Sequence, residues 1–584
     1  MTTPTRTPQP RPQPRPRRPR PHHPPSFYRK TRLRRTLRLL RTVVVAALLV
    51  WFAVWSVGRI LAGRAGPAPP APRTAAGAGT QLDSADGVKI GTFLGGPQRR
   101  FYGKGPVPEK LDLIWKASIG SGWTQRKEDN KQVIWGGNGW TGQPSLVRDG
   151  GKLSLVLNGY DHNVHRYDAA TGDTIWKYAF DDVIKSSVTV FANPHPTSKD
   201  DRLIVTAGSR RGSSYALGNP RIASYRAVSF GSGKELWRMP VPRTANYSQD
   251  IDASGLLLGG ALFEAVEPGY MYKLDPSRTT PWRGARQPMV LARSRQLWDP
   301  ADVAAHGGEP GGSNLALEAS PAQLGDRLIV NAGSGHIYQL SQRDLSVLWD
   351  FKTGSDIDGS PVVTRSNRLL IPVERQYVKH GGVYMLDPSK PPKDAVVWWF
   401  PTEDQGIAEW AGGVIGSVAV NDEYDADGSR PALAAFNSVD GYMYVVSQDQ
   451  LAKRGATGPH GEKDLPTPVL VAKKNIASGI STPIMVDDHI VSTGYDKKVH
   501  VYRIDYRASQ PTGATGAWLR SRQGRSWFTS VREIATFATG GPIEATPIVW
   551  KGRIYIGSRD GYFYCLGDKR QTTAEMDPAT AQGD

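Results

Sequence analysis

Eight positions stand two residues ahead of a Ser, Thr or Gln that opens a short apolar run: Thr141, Lys185, Asn246, Glu318, Asp358, Ile415, Ile480 and Glu544. Residues two apart on an extended strand share a face, so equivalent positions in eight such runs would point the same way. Glu318, Asp358 and Glu544 are then expected near one mouth of a common channel, with Lys185 opposite or between them. Asp250, two residues past Ser248, is expected nearby. Converging carboxylates can hold a hydrated cation or receive a basic peptide. Two of them about 5–10 Å apart could also cleave a glycosidic bond. The plainer expectation is a solvated rim with one ion pair, which costs almost nothing.

A second candidate is the run Glu423, Asp425, Asp427, Gly428. Alternating acids before Gly suit a calcium loop, but the closing ligands are missing and an acidic turn is the simpler reading. His162 and His165 lie three apart on a hairpin turn with no third ligand near in sequence, and are expected at the surface. No Gly-rich phosphate loop, His-Glu-x-x-His or Gly-x-Ser-x-Gly occurs.

The elements that must position these residues are short strands. Glu318 to Phe351 reads as a strand Arg327–Val330, Gly333-Ser-Gly335, a strand His336–Leu340, a turn, and Leu348–Phe351. Alternating apolar and polar residues bounded by Gly, Ser or Asp predict antiparallel hairpins. One such sheet cannot bury both faces, so copies must stack. Trp115, Trp176, Trp237 and Trp298 recur at intervals of 61 residues, and Trp349 and Trp399 continue the series, with Val471 and Ala535 in place of Trp in two further units. The starts Gln143, Ser187, Ser248, Ser320, Ser360, Ser417, Thr482 and Thr546 number eight. An all-β, eight-bladed β-propeller over 108–568 follows, its last blade completed by the N-terminal strand Leu111–Trp115. The repeated Trp residues are expected to pack between blades. Trp123, Trp135 and Trp140 fall outside the phase and could form an aromatic binding patch, and the stretches Glu264–Gln296 and Trp298–Ser313 read as insertions on blade edges.

The runs Asp168-Ala-Ala-Thr-Gly172 with Ile175-Trp176, and Gly552–Gly557 with Asp560–Tyr564, resemble the repeats of the PQQ-like β-propellers. That superfamily includes quinoprotein alcohol dehydrogenases and the propeller lipoprotein of the outer-membrane assembly machine. The resemblance implies the eight-bladed fold; it does not by itself imply one activity. Many of the enzymes carry adjacent cysteines on the quinone, or a haem domain, and use calcium with an Asp base. This chain has one cysteine, Cys565, which permits neither the pair nor the haem attachment. No cofactor is therefore expected, with pyrroloquinoline quinone and calcium as the alternative. The expected function is a binding or scaffold module for envelope proteins or other surface ligands. The alternatives are a quinone-dependent oxidoreductase and a carbohydrate-active enzyme using channel carboxylates.

Residues 1–41 are rich in Pro and Arg and predict a disordered tail. The apolar run 42–63, preceded by thirteen basic residues, predicts a single transmembrane helix with the N-terminus cytoplasmic and the propeller extracytoplasmic. Residues 64–107 read as a Pro/Ala/Gly-rich tether, and 569–584 as a flexible tail. Residues 1–82 hold 16 of the 73 Lys and Arg and no acid, leaving 57 bases against 54 acids. The propeller is thus near neutral, and nucleic acid is not an expected partner for it; the membrane and a protein or peptide are. Oligomeric state is open.

Overall fold

The computed structural model describes residues 87–126, 131–140, 142–210, 223–242, 249–305, 315–408 and 410–571. The expected tail, the membrane helix at 42–63 and the tether up to residue 86 lie outside them. Among the described residues no helix is long and apolar enough to cross a membrane.

Among the described residues the strands form eight sheets of at least four strands each, antiparallel but for one two-residue strand beside blade 8, in chain order: an eight-bladed propeller. Blade 1 begins with Ser145–Asp149, blade 2 with Thr189–Ala192, blade 3 with Leu256–Leu258 and blade 4 with Ala322–Leu324. Blades 5 to 8 begin with Val362–Val363, Ala419–Val420, Ile484–Val486 and Ile548–Trp550. Blade 8 takes its outermost strand from ahead of blade 1, Asp112–Ser118, which pairs antiparallel with Tyr562–Gly567.

Adjacent blades are tied at two radii. At the rim, an outer-strand indole donates to a carbonyl of the next blade: Trp115 to Ala169 (3.2 Å), Trp176 to Phe230 (2.9 Å), Trp237 to Pro276 (2.8 Å), Trp349 to Lys390 (2.9 Å) and Trp398 to Gln448 (3.0 Å). The bulky ring fills the gap between twisted sheets while its N–H finds a partner. At the axis, the strand-opening residue of one blade donates its backbone N–H to the hydroxyl of the next. Gln143 donates to Ser187, Ser254 to Ser320, Ser320 to Ser360, Ser360 to Ser417, and Ser417 to Thr482, all at 2.8–2.9 Å. The recurrent Ser or Thr is a link of this belt.

Blade 3 corrects the sequence reading twice. Its strands Ala261–Val266, Tyr270–Trp282 and Ala285–Arg293 occupy the stretch assigned to an insertion, and Trp298 lies beyond the outer strand. An unusually long outer hairpin shifts the Trp out of its structural place while keeping the interval. The belt residue of blade 3 is Ser254, whose N–H reaches Ser320 and whose hydroxyl donates to the Ser187 carbonyl; Ser248 lies outside the described residues. The other stretch assigned to an insertion contains the short helix Pro300–Ala305.

The end of the expected tether is also part of the domain. Residues 87–107 cross the channel end toward which the inner strands run. Val88–Ile90 pairs with the inner strand of blade 1, and Gly103–Lys104 runs parallel to that of blade 8. Between them, Gly91 accepts from Val190, Pro97 from Gln323 and Gln98 from Val363, while the Tyr102 hydroxyl accepts from Val420 N–H. Ile90, Phe93, Leu94 and Tyr102 are wholly buried. Gly and Pro residues here serve turns, such as Thr92 to Gly95, that fold the segment into a plug.

Candidate functional site

The opposite end of the channel is open and holds a cavity of about 420 Å³. Two repeat positions build it. The first is the expected one, two residues before the belt hydroxyl; it brings Lys185, Glu318, Asp358, Ile480 and Glu544 to the wall. Thr141 and Asn246 lie outside the described residues. In blade 3 the corrected phase puts Asp252 here. Its carboxylate takes the Lys185 ammonium in an ion pair, with Lys185 Nζ also 5.7 Å from the Trp140 ring.

The second position is absent from the sequence reading above. It lies four residues past the partner of each inner strand's opening pair, where the second strand returns to the cavity. The pairs Ser145–Val156, Thr189–Thr206, Leu256–Phe263 and Ala322–Ile329 place Tyr160, Arg210, Glu267 and Gly333 there. The pairs Val362–Leu370, Ala419–Ala435, Ile484–Val491 and Ile548–Tyr555 place Glu374, Val439, Tyr495 and Arg559. Blades 3, 4, 7 and 8 put this residue thirteen after the belt hydroxyl (Ser254 to Glu267, Thr546 to Arg559), a signal the sequence does carry. Longer inner hairpins hide it elsewhere, as between Ser187 and Arg210.

A third contribution is the hairpin Ser121–Gln125 and Gln132–Gly136, inserted ahead of blade 1. Gly137 (φ +73) lets it cross blade 8, since a Cβ there would lie 1.7 Å from the Ser558 carbonyl oxygen. Trp135 and Trp140 thereby reach the cavity wall with Trp410, whereas Trp123 is partly exposed on the hairpin's outer side. Trp135 packs on Tyr160 at 5.2 Å, with the guanidinium of Arg210 5.4 Å from its ring.

The charges divide by quadrant. On the side of blades 7 and 8, Arg559 Nη1 donates to Glu544 Oε2 (2.7 Å) and the Tyr495 hydroxyl to Oε1 (2.9 Å). Burial acts to lower the Arg559 pKa, and the charges of Tyr160 and Glu544 outweigh it. By blade 2, Asp250 is buried beneath the wall and accepts from Arg210 Nε (3.1 Å), which also donates from Nη1 to Thr124 (3.0 Å). On the side of blades 3 to 5 the carboxylates gather in two triads, Asp252–Glu267–Glu318 and Asp356–Asp358–Glu374, each with one oxygen per residue within 4.8 Å of the others. Burial, then the charges of Asp358 and Glu267, push the Glu318 carboxyl well above its usual range. Burial and then Asp358 and Asp356 do the same to Glu374. Asp356 was missed although it stands only two residues before Asp358, and both line the cavity.

The other candidates lie elsewhere. Glu423 pairs with Arg100 of the plug (2.5 Å). Asp425 accepts from the Arg430 N–H and the Ser429 hydroxyl, and Asp427 from the Ser429 N–H, so this loop is pinned by turn hydrogen bonds. His165 is fully buried, contrary to the surface expectation, because Asp161 and Tyr167 hold both ring nitrogens; His162 binds the Trp123 carbonyl.

No family model and no curated protein matches the chain. Among solved structures it is similar to BamB from Moraxella catarrhalis, at 13% identity over 78% of this chain and 100% of that one, with a TM-score of 0.46. It is also similar to a quinohemoprotein alcohol dehydrogenase from Comamonas testosteroni, at 12% identity over 84% of this chain and 82% of that one, with a TM-score of 0.49. Neither likeness bears on the chemistry of the cavity. The wall does not offer the sulfur face that the resemblance implies for many quinoproteins. Cys565 is buried within blade 8, where desolvation raises its pKa to about 12.

Proposed function

We propose that this protein is a membrane-anchored, extracytoplasmic β-propeller that works by binding an envelope protein or peptide at the open end of its channel. The observation that carries this reading is the difference between the two ends: the plug fills one, and two rings of repeat positions deliver aromatic and charged side chains to a single cavity at the other. A pocket of apolar walls with a few convergent polar groups is the usual form of a recognition site. The apolar run 42–63 behind thirteen basic residues supports the anchor.

The test is a photoreactive residue at Ala408, exposed on the cavity wall, compared with one at Lys104 in the plug, in cells that make the protein. A recurrent adduct from position 408 and none from 104 is expected. Equal labelling from both, or none from 408, overturns the reading.

One observation favours a second reading. Glu318, held toward its protonated form beside Asp358, has the inequality between two carboxyls that glycoside cleavage uses. Release of reducing ends from cell-wall glycan, lost in Glu318→Gln, would establish it.

A further inference from the structure

Two of the eight blades carry an enlarged outer hairpin, and both hairpins are rich in arginine. In blade 3 the third strand, Tyr270–Trp282, is thirteen residues long, where those of blades 1, 2, 4 and 5 have five or six. In blade 7 the third strand, Lys498–Arg507, is joined to Ser526–Ala538 through an extra outer strand, Ala517–Arg520. Residues 276–298 hold five arginines and residues 506–527 four, with no acid in either stretch. Without these nine, residues 83–584 hold 48 bases against 54 acids, so the small positive excess of the propeller resides in the two hairpins.

Both hairpins point to the plugged end. In a four-stranded antiparallel blade the turn joining the third and fourth strands lies at the same end as the turn joining the first and second, and that end is the one the plug crosses. Blades 3 and 7 stand half a turn apart in a ring of eight, so the two tips lie at opposite edges of one face. The described chain enters this face at blade 1, a quarter-turn from each tip, where Gly87 accepts from the Arg148 N–H (2.7 Å). Only residues 64–86 separate that point from the apolar run 42–63. Arg278 pairs with Asp275 (3.4 Å) and Arg522 with Asp449 (3.2 Å), and among the described residues the other seven arginines of the hairpins form no ion pair. Trp518 is 49% exposed beside these charges in blade 7. In blade 3, Trp282, Arg283 and Arg286 line an open recess of about 800 Å³ against the Arg238–Glu235 pair of blade 2.

We propose that the plugged face rests on an anionic phospholipid surface through these two hairpins, which turns the open cavity away from the membrane. A guanidinium offers paired donors to a phosphate, and each basic side chain near an anionic bilayer is worth about fivefold in surface affinity. Tryptophan settles at the level of the headgroups. A peptide is received along one groove, whereas charge divided between opposite edges of a disc is met by a plane. This docking rests on the anchor proposed above: the anchor supplies the bilayer, and the hairpins set the orientation of the propeller on it.

The test places the purified full-length chain in vesicles of phosphatidylcholine alone or of equal parts phosphatidylcholine and phosphatidylglycerol. A fluorophore at Thr280→Cys or Thr512→Cys on the hairpins, or at Ile134→Cys at the open end, reports energy transfer to a headgroup-labelled lipid; the one native cysteine, Cys565, is buried. Transfer from 280 and 512 should be at least about twice that from 134 in the mixed vesicles, and should fall in phosphatidylcholine or in molar salt. Arg283→Glu with Arg286→Glu should lower the transfer from 280, and Arg520→Glu with Arg525→Glu that from 512, in variants whose thermal melts match the parent. Equal transfer from all three positions, or transfer that ignores phosphatidylglycerol, overturns the proposal. So does capture of polyglutamate by these arginines without approach to the headgroups, which would assign them to an acidic protein segment. The anchor fails separately: a chain that floats with phosphatidylcholine vesicles in molar salt is held by its anchor whatever the hairpins do, and one that floats only with phosphatidylglycerol keeps the hairpin contact and loses the anchor.

Discussion

The two ends of the channel solve opposite problems with similar residues. At the plugged end, Arg99 is wholly buried, and its guanidinium makes four hydrogen bonds from its five N–H groups: Nε donates to the Pro321 carbonyl (2.8 Å), Nη1 to Thr92 and the Phe93 carbonyl (2.9 and 2.6 Å), and Nη2 to the Ser254 carbonyl (2.8 Å). Burial lowers its pKa to about 9, and the charge of Glu264 opposes that fall. At the open end the Asp356 triad gathers like charges, and a Glu374 oxygen accepts nothing. The difference between the ends is one of charge and access: the plug encloses a cation with Glu264 buried beside it, whereas the acidic sector of the open end borders the cavity.

Variants can break this contrast. The largest effect is expected for Lys185→Met, which leaves the buried Asp252 without its ammonium and should lower stability by about 3–5 kcal/mol. Millimolar n-butylammonium should restore part of the loss in a thermal melt, and a simple packing defect would not respond. Arg99→Met removes the plug's central donor and leaves carbonyls of blades 3 and 4 unpaired. It should cost about 3 kcal/mol in chemical denaturation, with no rescue by amines. Glu374→Gln should act in the other direction and raise stability by about 1 kcal/mol, since an amide ends the repulsion without changing the shape.

The pH dependence follows from the same residue. Glu374 and Glu318 have folded pKa values above the ordinary 4.5, so the folded state binds more protons than the unfolded chain once pH exceeds that value. Their contribution to stability is greatest below about pH 4.5 and declines as pH rises through the folded values. Glu374→Gln should flatten that decline in melts recorded from pH 5 to 8. The smallest effect is at the rim: Trp115→Phe keeps the packing on Tyr555 and Phe563 but drops the bond to Ala169, for about 1 kcal/mol.

Much of the fold was legible because its links recur at the surface of the sequence. The belt needs a hydroxyl at each strand start, and the rim needs a large ring with an N–H, so Ser320, Ser360, Trp176 and Trp349 announce their blades. Regular spacing misled at blade 3, where Trp298 keeps the interval but not the strand, and a 61-residue period cannot report a lengthened hairpin. The plug was hidden for a related reason. Gly95, Pro97 and Gly103 look alike in a slack linker and in a tight irregular turn, and only tertiary contacts separate the two. Within the site, Lys185, Glu318, Asp358 and Glu544 were visible as one strand position. Arg210 and Glu374 were not, because the returning strand reaches the cavity after an inner hairpin whose length changes from blade to blade; Glu267 and Arg559 keep the thirteen-residue spacing, a regularity that shows only once Ser254 replaces Ser248 in the phase.

The most direct test of the account is photo-crosslinking in cells that make the protein, from a photoreactive residue at Ala408 on the cavity wall and from one at Lys104 in the plug. A recurrent adduct from position 408 and none from position 104 is expected. Equal labelling from both, or none from 408, would contradict a channel that binds at one end and is filled at the other.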